Sequence, residues 1–341
     1  MNGDVAAQAA APQAAADTAP GGAEDAPPSL TVVILTFNEI LHIERAISGM
    51  SGLARRVVVV DSGSNDGTAE KAAELGAEVH TRKWVNYADQ FQWALDNAAI
   101  DTDWTMRLDA DEWFGPELVD NLKQALRDAD DEVTAISIDR QHHFLGRWIR
   151  HGGRYPLTLL RLWRTGLGRI EQRWMDEHIV VESGRMIHID GTFVDDNRND
   201  LTFFTAKHNG YATREAVDAL IDKYDLFDPV EDRGLASTGQ AKQKRKAKLD
   251  FYNRLPLGVG PLGYFLYRYI VQLGFLDGKP GLVYHFLQGF WYRFLVDAKR
   301  YEFERGLADA VGKDEMIDRL TALSGHDLRA FDADARRRAA P

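Results

Sequence analysis

The sequence predicts an α/β fold in which a mostly parallel, doubly wound β-sheet carries helices on both faces. Between residues 30 and 138, apolar runs of five to eight residues alternate with helical stretches of 10–13 residues. Such alternation is typical of βαβ units, in which a crossover helix joins two parallel strands. In addition, Glu39, Asp61 and Asp109 stand at or just past the ends of three predicted strands, where open sheets of this class bind ligands.

Each predicted element has a recognisable composition or boundary. The predicted strands are Leu30–Phe37, Arg56–Val60, Ala77–Thr81, Trp104–Leu108 and Val133–Ile138. The predicted helices are Glu39–Met50, Asp66–Leu75, Tyr87–Ala99 and Pro116–Arg127. Gly76 ends the second helix, and Pro116 occupies the favourable first position of the fourth. Phe91, Ala94 and Leu95 share one face of the third helix, as packing against a sheet requires.

Length and composition exclude several classes of protein. The 341 residues (38.3 kDa) favour one large domain with a smaller module, and 45% apolar and 27% charged residues exclude wholesale disorder. The absence of cysteine excludes a disulfide framework, a thiolate metal site and a cysteine nucleophile. The formal charge of −11 argues against nucleic acid as a partner, because an acidic body repels a phosphate backbone.

The charge is unevenly distributed along the chain. Residues 241–300 contain 11 Lys and Arg but three acids, a local charge of +8, together with 13 of the 35 aromatic residues. Their uncharged runs, Leu255–Tyr267 and Pro280–Tyr292, are shorter than the roughly 20 apolar residues of a membrane span. The segment 241–305 is therefore predicted to lie on an anionic membrane surface. The alternative is a helical subdomain whose aromatic rings form a core.

Two motifs at the predicted strand ends indicate a binding site. Asp109 and Asp111, two residues apart after the fourth strand, can share one Mg²⁺ or Mn²⁺; the alternative is an ordinary acidic loop. The loop from Val60 to Thr68 is rich in turn residues and lacks the phosphate-binding patterns of P-loops and dinucleotide folds. It suits contact with a nucleoside through Asp61 and the neighbouring hydroxyl groups.

These motifs, in this order, resemble the family 2 glycosyltransferases of GT-A fold. The resemblance covers about residues 30–140 and rests on Thr36-Phe37-Asn38-Glu39, on the loop from Val60 to Thr68, and on Asp109-Ala110-Asp111. It implies a nucleotide-sugar site formed by Thr36, Asn38, Glu39, Asp61, Ser62, Asp109 and Ala110. It further implies that Asp109 and Asp111 hold the metal and the donor diphosphate. Ser62 stands where many members have a second Asp.

A narrower resemblance is to the bacterial lipopolysaccharide-core branch of that family. It rests on the segments Tyr87–Leu95, Gly146–Gly153, Lys207–Ala212 and Leu276–Gly281. It implies transfer of a hexose, with UDP-glucose as the expected donor, to a lipid-linked core saccharide. Two alternatives stay open: an exopolysaccharide or polyprenyl-phosphate acceptor, and a non-catalytic nucleotide-sugar-binding scaffold at the membrane.

The family implies an inverting reaction that needs a carboxylate base. Glu177 is the first candidate and Asp176 the second, with a surface acidic pair as the alternative. His178 is a candidate third metal ligand. The basic residues Arg147, Arg150 and His151 are predicted to meet a phosphate of the acceptor or donor; a salt-bridged loop is the alternative.

The predicted organisation follows from these assignments. Residues 1–29, rich in Ala and Pro and without Lys or Arg, are expected to be a disordered leader and not an export signal. Residues 30–240 form the glycosyltransferase domain, with a nucleotide-sugar half (30–140) and an acceptor half (141–240). The membrane segment 241–305 and a C-terminal helix and tail (306–341) follow. The expected location is cytoplasmic, peripheral on the inner face of the cytoplasmic membrane.

Overall fold

The computed structural model of the chain describes residues 28–171, 178–227 and 256–330. In these ranges the strands are β1 (Leu30–Thr36), β2 (Arg56–Asp61), β3 (Glu78–Thr81), β4 (Trp104–Asp109), β5 (Glu112–Trp113), β6 (Val133–Phe144), β7 (Arg147–Trp148), β8 (Thr158–Arg164), β9 (Gly168–Ile170), β10 (Ile179–Val181) and β11 (Arg185–Asp196). The helices are α1 (Ile43–Gly49), α2 (Thr68–Glu74), α3 (Tyr87–Asn97), α4 (Pro116–Asp128), α5 (Leu201–Tyr224), α6 (Val259–Leu266), α7 (Gly278–Tyr284), α8 (Tyr292–Leu307) and α9 (Lys313–Ser324). The π-helical segments Tyr267–Val271 and His285–Trp291 extend α6 and join α7 to α8, and a 3₁₀ turn, Gly274–Asp277, precedes α7.

The sheet is mixed and mostly parallel, with the strand order β3-β2-β1-β4-β8-β6-β11-β5 and with β7 paired to β6. Strands β3, β2, β1 and β4 are mutually parallel, as the sequence predicts. The predicted fifth strand exists as β6, but it does not adjoin β4. Strand β8 lies between them and is antiparallel to both. The α/β fold class is therefore confirmed, with an antiparallel strand inserted beyond β4.

Helices cover both faces of the sheet because its central strands are apolar on both sides. In β1, Val32 and Ile34 pack in the cluster that includes Leu122 of α4, whereas Val33 packs in the opposite cluster with Phe91 of α3. All five side chains are fully buried. Side chains alternate between the two faces along a strand, so a continuous run of Val and Ile serves both layers.

The long helix α5 connects the sheet to the C-terminal helices. Leu220 of α5 packs with Phe303 of α8 and Leu320 of α9 in a separate hydrophobic cluster. The side chain of Asp200 caps the start of α5 by accepting a hydrogen bond from the N–H of Phe203 at 2.8 Å. The C-terminal helices thus pack on an element that begins directly after β11.

The described part of the predicted membrane segment is partly core and partly exposed apolar surface. Tyr284 and Tyr292 are buried, whereas Ile270 is 55% exposed, Val271 66% and Phe275 45%. None of the helices in the described ranges is both long and apolar enough to cross a membrane. The predicted leader, apart from its last two residues, lies outside the described residues, and so do residues 241–255 and 331–341.

Candidate active site

The carboxyl ends of β1 and β4 form a crevice where the direction of chain progression through the sheet reverses. From β1 the chain continues to β2 and β3 on one side, and then returns to β4 on the other side of β1. Loops diverge at such a reversal, and open α/β sheets bind ligands there. Leu35 of β1 pairs with Asp109 of β4, and Thr36 pairs with Asp61 of β2. The predicted acidic residues therefore reach one edge of the sheet, as the sequence predicts.

Asp61 organises the loop that follows β2. Its Oδ2 accepts hydrogen bonds from Thr36 Oγ1 at 2.8 Å and from Ser64 Oγ at 2.5 Å. Its Oδ1 accepts the N–H groups of Gly63 at 2.9 Å and Ser64 at 2.8 Å. Asp61 is 2% exposed, and these four bonds satisfy both oxygens. Asp61 thus shapes the loop from within, and its direct contact with a nucleotide stays a prediction.

The loop after β1 is fastened to the loop after β2. Asn38 adopts a left-handed backbone conformation (φ 57°), which Asn tolerates, and its N–H donates to Ser64 Oγ at 2.8 Å. The N–H of Glu39 donates to Thr68 Oγ1 at 2.8 Å. These bonds hold the backbone in a loop, so α1 begins at Ile43 and not at the predicted Glu39.

A histidine links Glu39 to the loop that follows β11. The Nδ1 of His42 lies 2.6 Å from Glu39 Oε2, and its Nε2 accepts the N–H of Arg198 at 2.9 Å. Because Nε2 is an acceptor, the neutral ring carries its proton on Nδ1 and donates it to Glu39. The entry to α5 is thereby tied to the crevice.

Two further predicted nucleotide-sugar ligands, Ser62 and Ala110, contact other parts of the protein. The N–H of Ser62 donates to Thr36 O at 2.9 Å, and its Oγ accepts Gln90 Nε2 at 3.2 Å. Ala110 is 4% exposed and belongs to the hydrophobic core. Their contact with a nucleotide-sugar stays a prediction.

Asp109 is held ionised by its neighbours. Tyr87 Oη donates a hydrogen bond to Oδ1 at 2.7 Å, Arg107 Nε lies 3.5 Å from Oδ1, and Arg161 Nη1 lies 3.9 Å from Oδ2. Burial alone would raise the pKa of Asp109, but Arg107 and Arg161 outweigh it and lower the pKa to about 2. Asp109 is therefore a carboxylate over the whole physiological pH range.

Asp111 is in a different electrostatic environment. Asn197 Nδ2 donates to its Oδ2 at 2.9 Å. Burial raises the pKa of Asp111 above its ordinary value, the carboxylate of Asp195 adds to this, and Lys207 opposes it. The carboxylate of Asp109 also contributes to the rise, and a cation between the two acids would offset their repulsion.

The oxygens at positions 109 and 111 fit a hard divalent cation. Among the described residues, none donates a hydrogen bond to Asp109 Oδ2 or to Asp111 Oδ1. Open carboxylate oxygens are the ligands that Mg²⁺ and Mn²⁺ prefer. Across residues 28–171, 178–227 and 256–330, no group of three or more His, Asp or Glu side chains is positioned to hold a metal. The site is thus a pair of carboxylates, which leaves room for ligand oxygens.

A buried ion pair supports Asp109 from below, and the sequence did not assign it a role. Glu112 is 1% exposed and pairs with Arg161 of β8, while its Oε2 accepts the N–H of Asp109 at 3.0 Å. Burial raises the pKa of Glu112 above its ordinary value, and the charge of Arg161 opposes that rise. In the sequence, the only indication of this role is the position of Glu112 directly after the Asp-x-Asp motif.

The far side of the crevice contains a second group of residues that sequence reasoning missed. Asp195 of β11 lies 3.1 Å from both Arg140 Nη1 and His142 Nδ1 of β6. Burial would raise the pKa of Asp195, but His142 and Arg140 hold it well below its ordinary value. These residues come together because β6 and β11 are paired, with Asp195 opposite His142.

The candidate bases Asp176 and Glu177 lie outside the described residues. His178 is described, and its Nδ1 lies 3.3 Å from Oε2 of the buried Glu171. Its role as a metal ligand stays a prediction.

The basic group after β7 is engaged with the C-terminal helices. His151 Nδ1 lies 2.7 Å from Asp277 Oδ1, and its N–H donates to Asp277 Oδ2 at 2.9 Å. Arg147 donates to Leu276 O at 3.3 Å, whereas the guanidinium of Arg150 lies 5.2 Å from the centre of the Trp148 ring. The contact of His151 with Asp277 corresponds to the alternative of a salt-bridged loop, whereas Arg147 contacts a backbone carbonyl. Phosphate binding by the group stays a prediction.

The mostly parallel sheet, with an acidic pair after β4 and a polar loop after β2, agrees with the GT-A fold that the motifs predict. Residues 31–190 match the sequence profile of the family described as glycosyl transferase family 2. Over this range the chain is therefore similar to the family 2 glycosyltransferases, as its motifs predicted.

Several known proteins are similar to this chain. A glycosyltransferase of Rickettsia bellii, described as uncharacterized, is 38% identical over 94 residues, which are 28% of this chain and 31% of that protein. The match thus spans about a third of that relative's length. The lipopolysaccharide core biosynthesis glycosyltransferase LpsC of Rhizobium meliloti is 28% identical over 200 residues, covering 55% of this chain and 70% of LpsC. Glucosyl-3-phosphoglycerate synthase of Mycobacterium tuberculosis, crystallised with Mn²⁺ and UDP, is 23% identical over 38% of this chain and 51% of that chain, with a TM-score of 0.29.

Proposed function

We propose that this protein is an inverting, metal-dependent glycosyltransferase that moves a hexose from a nucleotide-sugar to a lipid-linked saccharide of the lipopolysaccharide core. The expected donor is UDP-glucose. The observation that carries the proposal is the crevice between β1 and β4, where Asp109 and Asp111 lie beside the loops after β1 and β2. The likeness to LpsC over 200 residues supports the class of acceptor.

The crevice is suited to a nucleotide-sugar because its two sides offer different chemistry. The loop after β2, braced by Asp61, presents hydroxyl and amide groups of the kind that bind a base and a ribose. Asp109 is ionised at neutral pH and is positioned by Tyr87. Mg²⁺ or Mn²⁺ held by Asp109 and Asp111 would neutralise charge that develops on the leaving nucleoside diphosphate.

The transfer itself is a single displacement. The acceptor hydroxyl oxygen forms a bond to C1 of the sugar while the bond from C1 to the diphosphate oxygen breaks, which inverts the configuration. The hydroxyl proton passes to a carboxylate, for which Glu177 is the first candidate and Asp176 the second. Both assignments rest on the sequence alone.

We place the enzyme on the inner face of the cytoplasmic membrane. The support is an exposed apolar surface around the end of α6, formed by Leu262, Tyr267, Ile270, Val271 and Phe275, each 45% exposed or more. The local charge of +8 over residues 241–300 complements anionic lipids. A lipid-linked acceptor would be presented at that surface.

Metal-dependent binding of the donor tests the proposal. The purified chain is heated with a panel of nucleotide-sugars with and without Mn²⁺, because binding to the folded state adds about 2.7 kcal/mol of stability at a ligand concentration of 100 Kd. UDP-glucose with Mn²⁺ should raise the midpoint, and Asp109→Asn and Asp111→Asn should abolish the rise. Asp120→Asn, which alters an exposed acid on α4, is the matched control.

The outcomes separate the open alternatives. If no nucleotide-sugar stabilises the protein, or if the two variants respond like wild type, the site assignment is wrong. Transfer assays on core lipopolysaccharide, exopolysaccharide and polyprenyl phosphate then identify the acceptor. Donor binding with no transfer to any of these acceptors would support the scaffold alternative.

Membrane binding needs its own experiment. We expect the full chain to sediment with phosphatidylglycerol-containing vesicles, and the double variant Ile270→Asn/Val271→Asn to lose that binding. Met186→Asn removes a similarly exposed apolar side chain (57%) from β11 and should bind like wild type. Equal sedimentation of all three proteins would disprove the assigned surface.

A further inference from the structure

Lys207 lies on an element outside the matched family domain, yet it belongs to the crevice. It is in the second turn of α5, which starts five residues after β11 ends. The loop between them is fixed at the site, because Asn197 Nδ2 donates to Asp111 and the N–H of Arg198 donates to His42. The position of this helix is therefore set by the same residues that line the crevice.

The side chain of Lys207 is held by aromatic rings on its own helix. Its Nζ lies 5.8 Å from the centre of the Phe203 ring and 5.9 Å from that of the Tyr211 ring, one turn before and one turn after it. Rings at these positions restrict a long flexible side chain and favour its charged form. The ammonium group is thus pre-positioned.

The charge of Lys207 has no direct partner among the described residues. No described residue lies within hydrogen-bond or ion-pair distance of its Nζ. Burial would lower the pKa of Lys207, but Tyr211, Asp111, Glu39 and Asp195 raise it above its ordinary value. Glu39 follows β1, Asp111 follows β4 and Asp195 lies in β11, so the ammonium is at the crevice and remains charged at neutral pH.

Three arginines near the crevice are paired with protein carboxylates. Arg161 pairs with Glu112, Arg140 with Asp195, and Arg45 with Asp196 at 2.6 Å. The diphosphate group of a nucleotide-sugar brings about two negative charges next to Asp109 and Asp111, and one divalent cation leaves this group of charges net negative. A further cation with an open ammonium would offset that excess.

We infer that Lys207 binds the diphosphate group of the nucleotide-sugar donor. This inference rests on the proposed function. The ammonium contacts phosphate oxygens from the α5 side, opposite the loop that holds the nucleoside, and it stabilises the charge of the leaving group. Lys207 is therefore a substrate-contacting residue contributed by the chain beyond the family domain.

The experiment compares ligands that differ in phosphate number. Dissociation constants of UDP, UMP and uridine are measured by titration calorimetry with Mg²⁺ for wild type, Lys207→Met and Lys207→Arg. The loss of one charge-assisted contact should weaken UDP binding by roughly 10- to 100-fold. UMP should lose less, uridine should be unchanged, and Lys207→Arg should recover much of the UDP affinity. Lys223→Met is the control, because Lys223 is on the same helix and pairs with Glu304 at 2.8 Å.

Each other result overturns the inference. An equal loss for UDP, UMP and uridine would show a merely structural role, and unfolding midpoints of the free variants check this independently. Unchanged UDP affinity with a raised KM for the acceptor would assign Lys207 to an anionic acceptor group. If wild type binds UDP and Lys207→Met binds it equally, only this inference fails. If wild type binds no nucleoside diphosphate from a panel of UDP, GDP, ADP and dTDP, the proposed function fails as well.

Discussion

Gly152 is predicted to be irreplaceable because it joins the sheet domain to the C-terminal helices. Its φ is +69°, and the Cβ of an alanine at this position would lie 2.2 Å from Cε1 of His285. The His285 ring is fully buried, and on its other side a Cβ at Gly274 would lie 2.7 Å from Nε2. The ring is therefore in close contact with the backbone at both glycines. The backbone is also held, since Arg268 Nε donates to Gly152 O at 2.8 Å.

The cost of Gly152→Ala has two parts. The left-handed backbone costs about 1–2 kcal/mol for a residue with a Cβ. Relieving the contact from 2.2 Å to an ordinary 3.4 Å requires a shift of about 1.2 Å in a packed region, and overpacking of this kind costs about 1–3 kcal/mol. We expect the free energy of unfolding to fall by about 2–5 kcal/mol in total.

Urea denaturation of matched glycine variants separates the two parts. Gly146 has a similar φ of +73°, but a Cβ there meets no atom within 4 Å, so Gly146→Ala carries the backbone cost alone. Gly153→Ala (φ +67°) would meet the end of the flexible Gln272 side chain at 2.7 Å and should be intermediate. If Gly152→Ala is no less stable than Gly146→Ala, His285 does not fill the space beside Gly152, and the described packing of the two parts is wrong.

Three further predictions concern charge and hydrogen bonding. Burial and the nearby Arg268 lower the pKa of His285 to about 4, whereas its unfolded pKa is about 6.5. The free energy of unfolding should therefore decrease by about 2–3 kcal/mol as the pH falls from 6.5 to 4, because the folded state holds the neutral ring. His285→Gln should flatten that part of the stability profile, and an unchanged profile would contradict the prediction. Arg161→Met should destabilise the protein by about 3–5 kcal/mol because it removes the guanidinium that pairs with the buried Glu112 and leaves that carboxyl group with one hydrogen bond, from the N–H of Asp109. The double variant with Glu112→Gln should regain part of that loss in urea denaturation. Asn197→Ala removes the 2.9 Å hydrogen bond to Asp111 and should weaken Mn²⁺-dependent UDP binding about 3- to 10-fold in calorimetry, with uridine binding as the control.

The first four strands and their acidic ends could be predicted because their signals are local. The composition of a run such as Leu30–Thr36 indicates a strand that is buried on both faces. Parallel strands joined by helices have their carboxyl ends at one edge of the sheet. Asp61, Asp109 and Asp111 follow from that rule without knowledge of any contact. The start of α1 was predicted wrongly because it depends on hydrogen bonds from the N–H groups of Asn38 and Glu39 to the loop after β2. A helix propensity pattern does not contain these bonds.

The electrostatic surroundings of the site could not be predicted, because they depend on pairing between distant segments. Arg161 reaches Asp109 only because β8 inserts antiparallel beside β4. Asp195 meets His142 only through the register of β6 and β11. His151 illustrates the same limit, since its partner Asp277 is 126 residues away in the sequence.

By itself, the sequence determined the class of this protein: an α/β domain with the motifs of a family 2 glycosyltransferase and an Asp-x-Asp pair at a strand end. These properties depend on periodicity and on short motifs, which act over one strand or one loop. Only the tertiary structure decided which charges surround that pair, which residues Arg147 and His151 contact, and that Lys207 of α5 lies at the crevice. The burial and charge partners of a side chain depend on all the elements that pack around it, and a local sequence pattern does not contain that information.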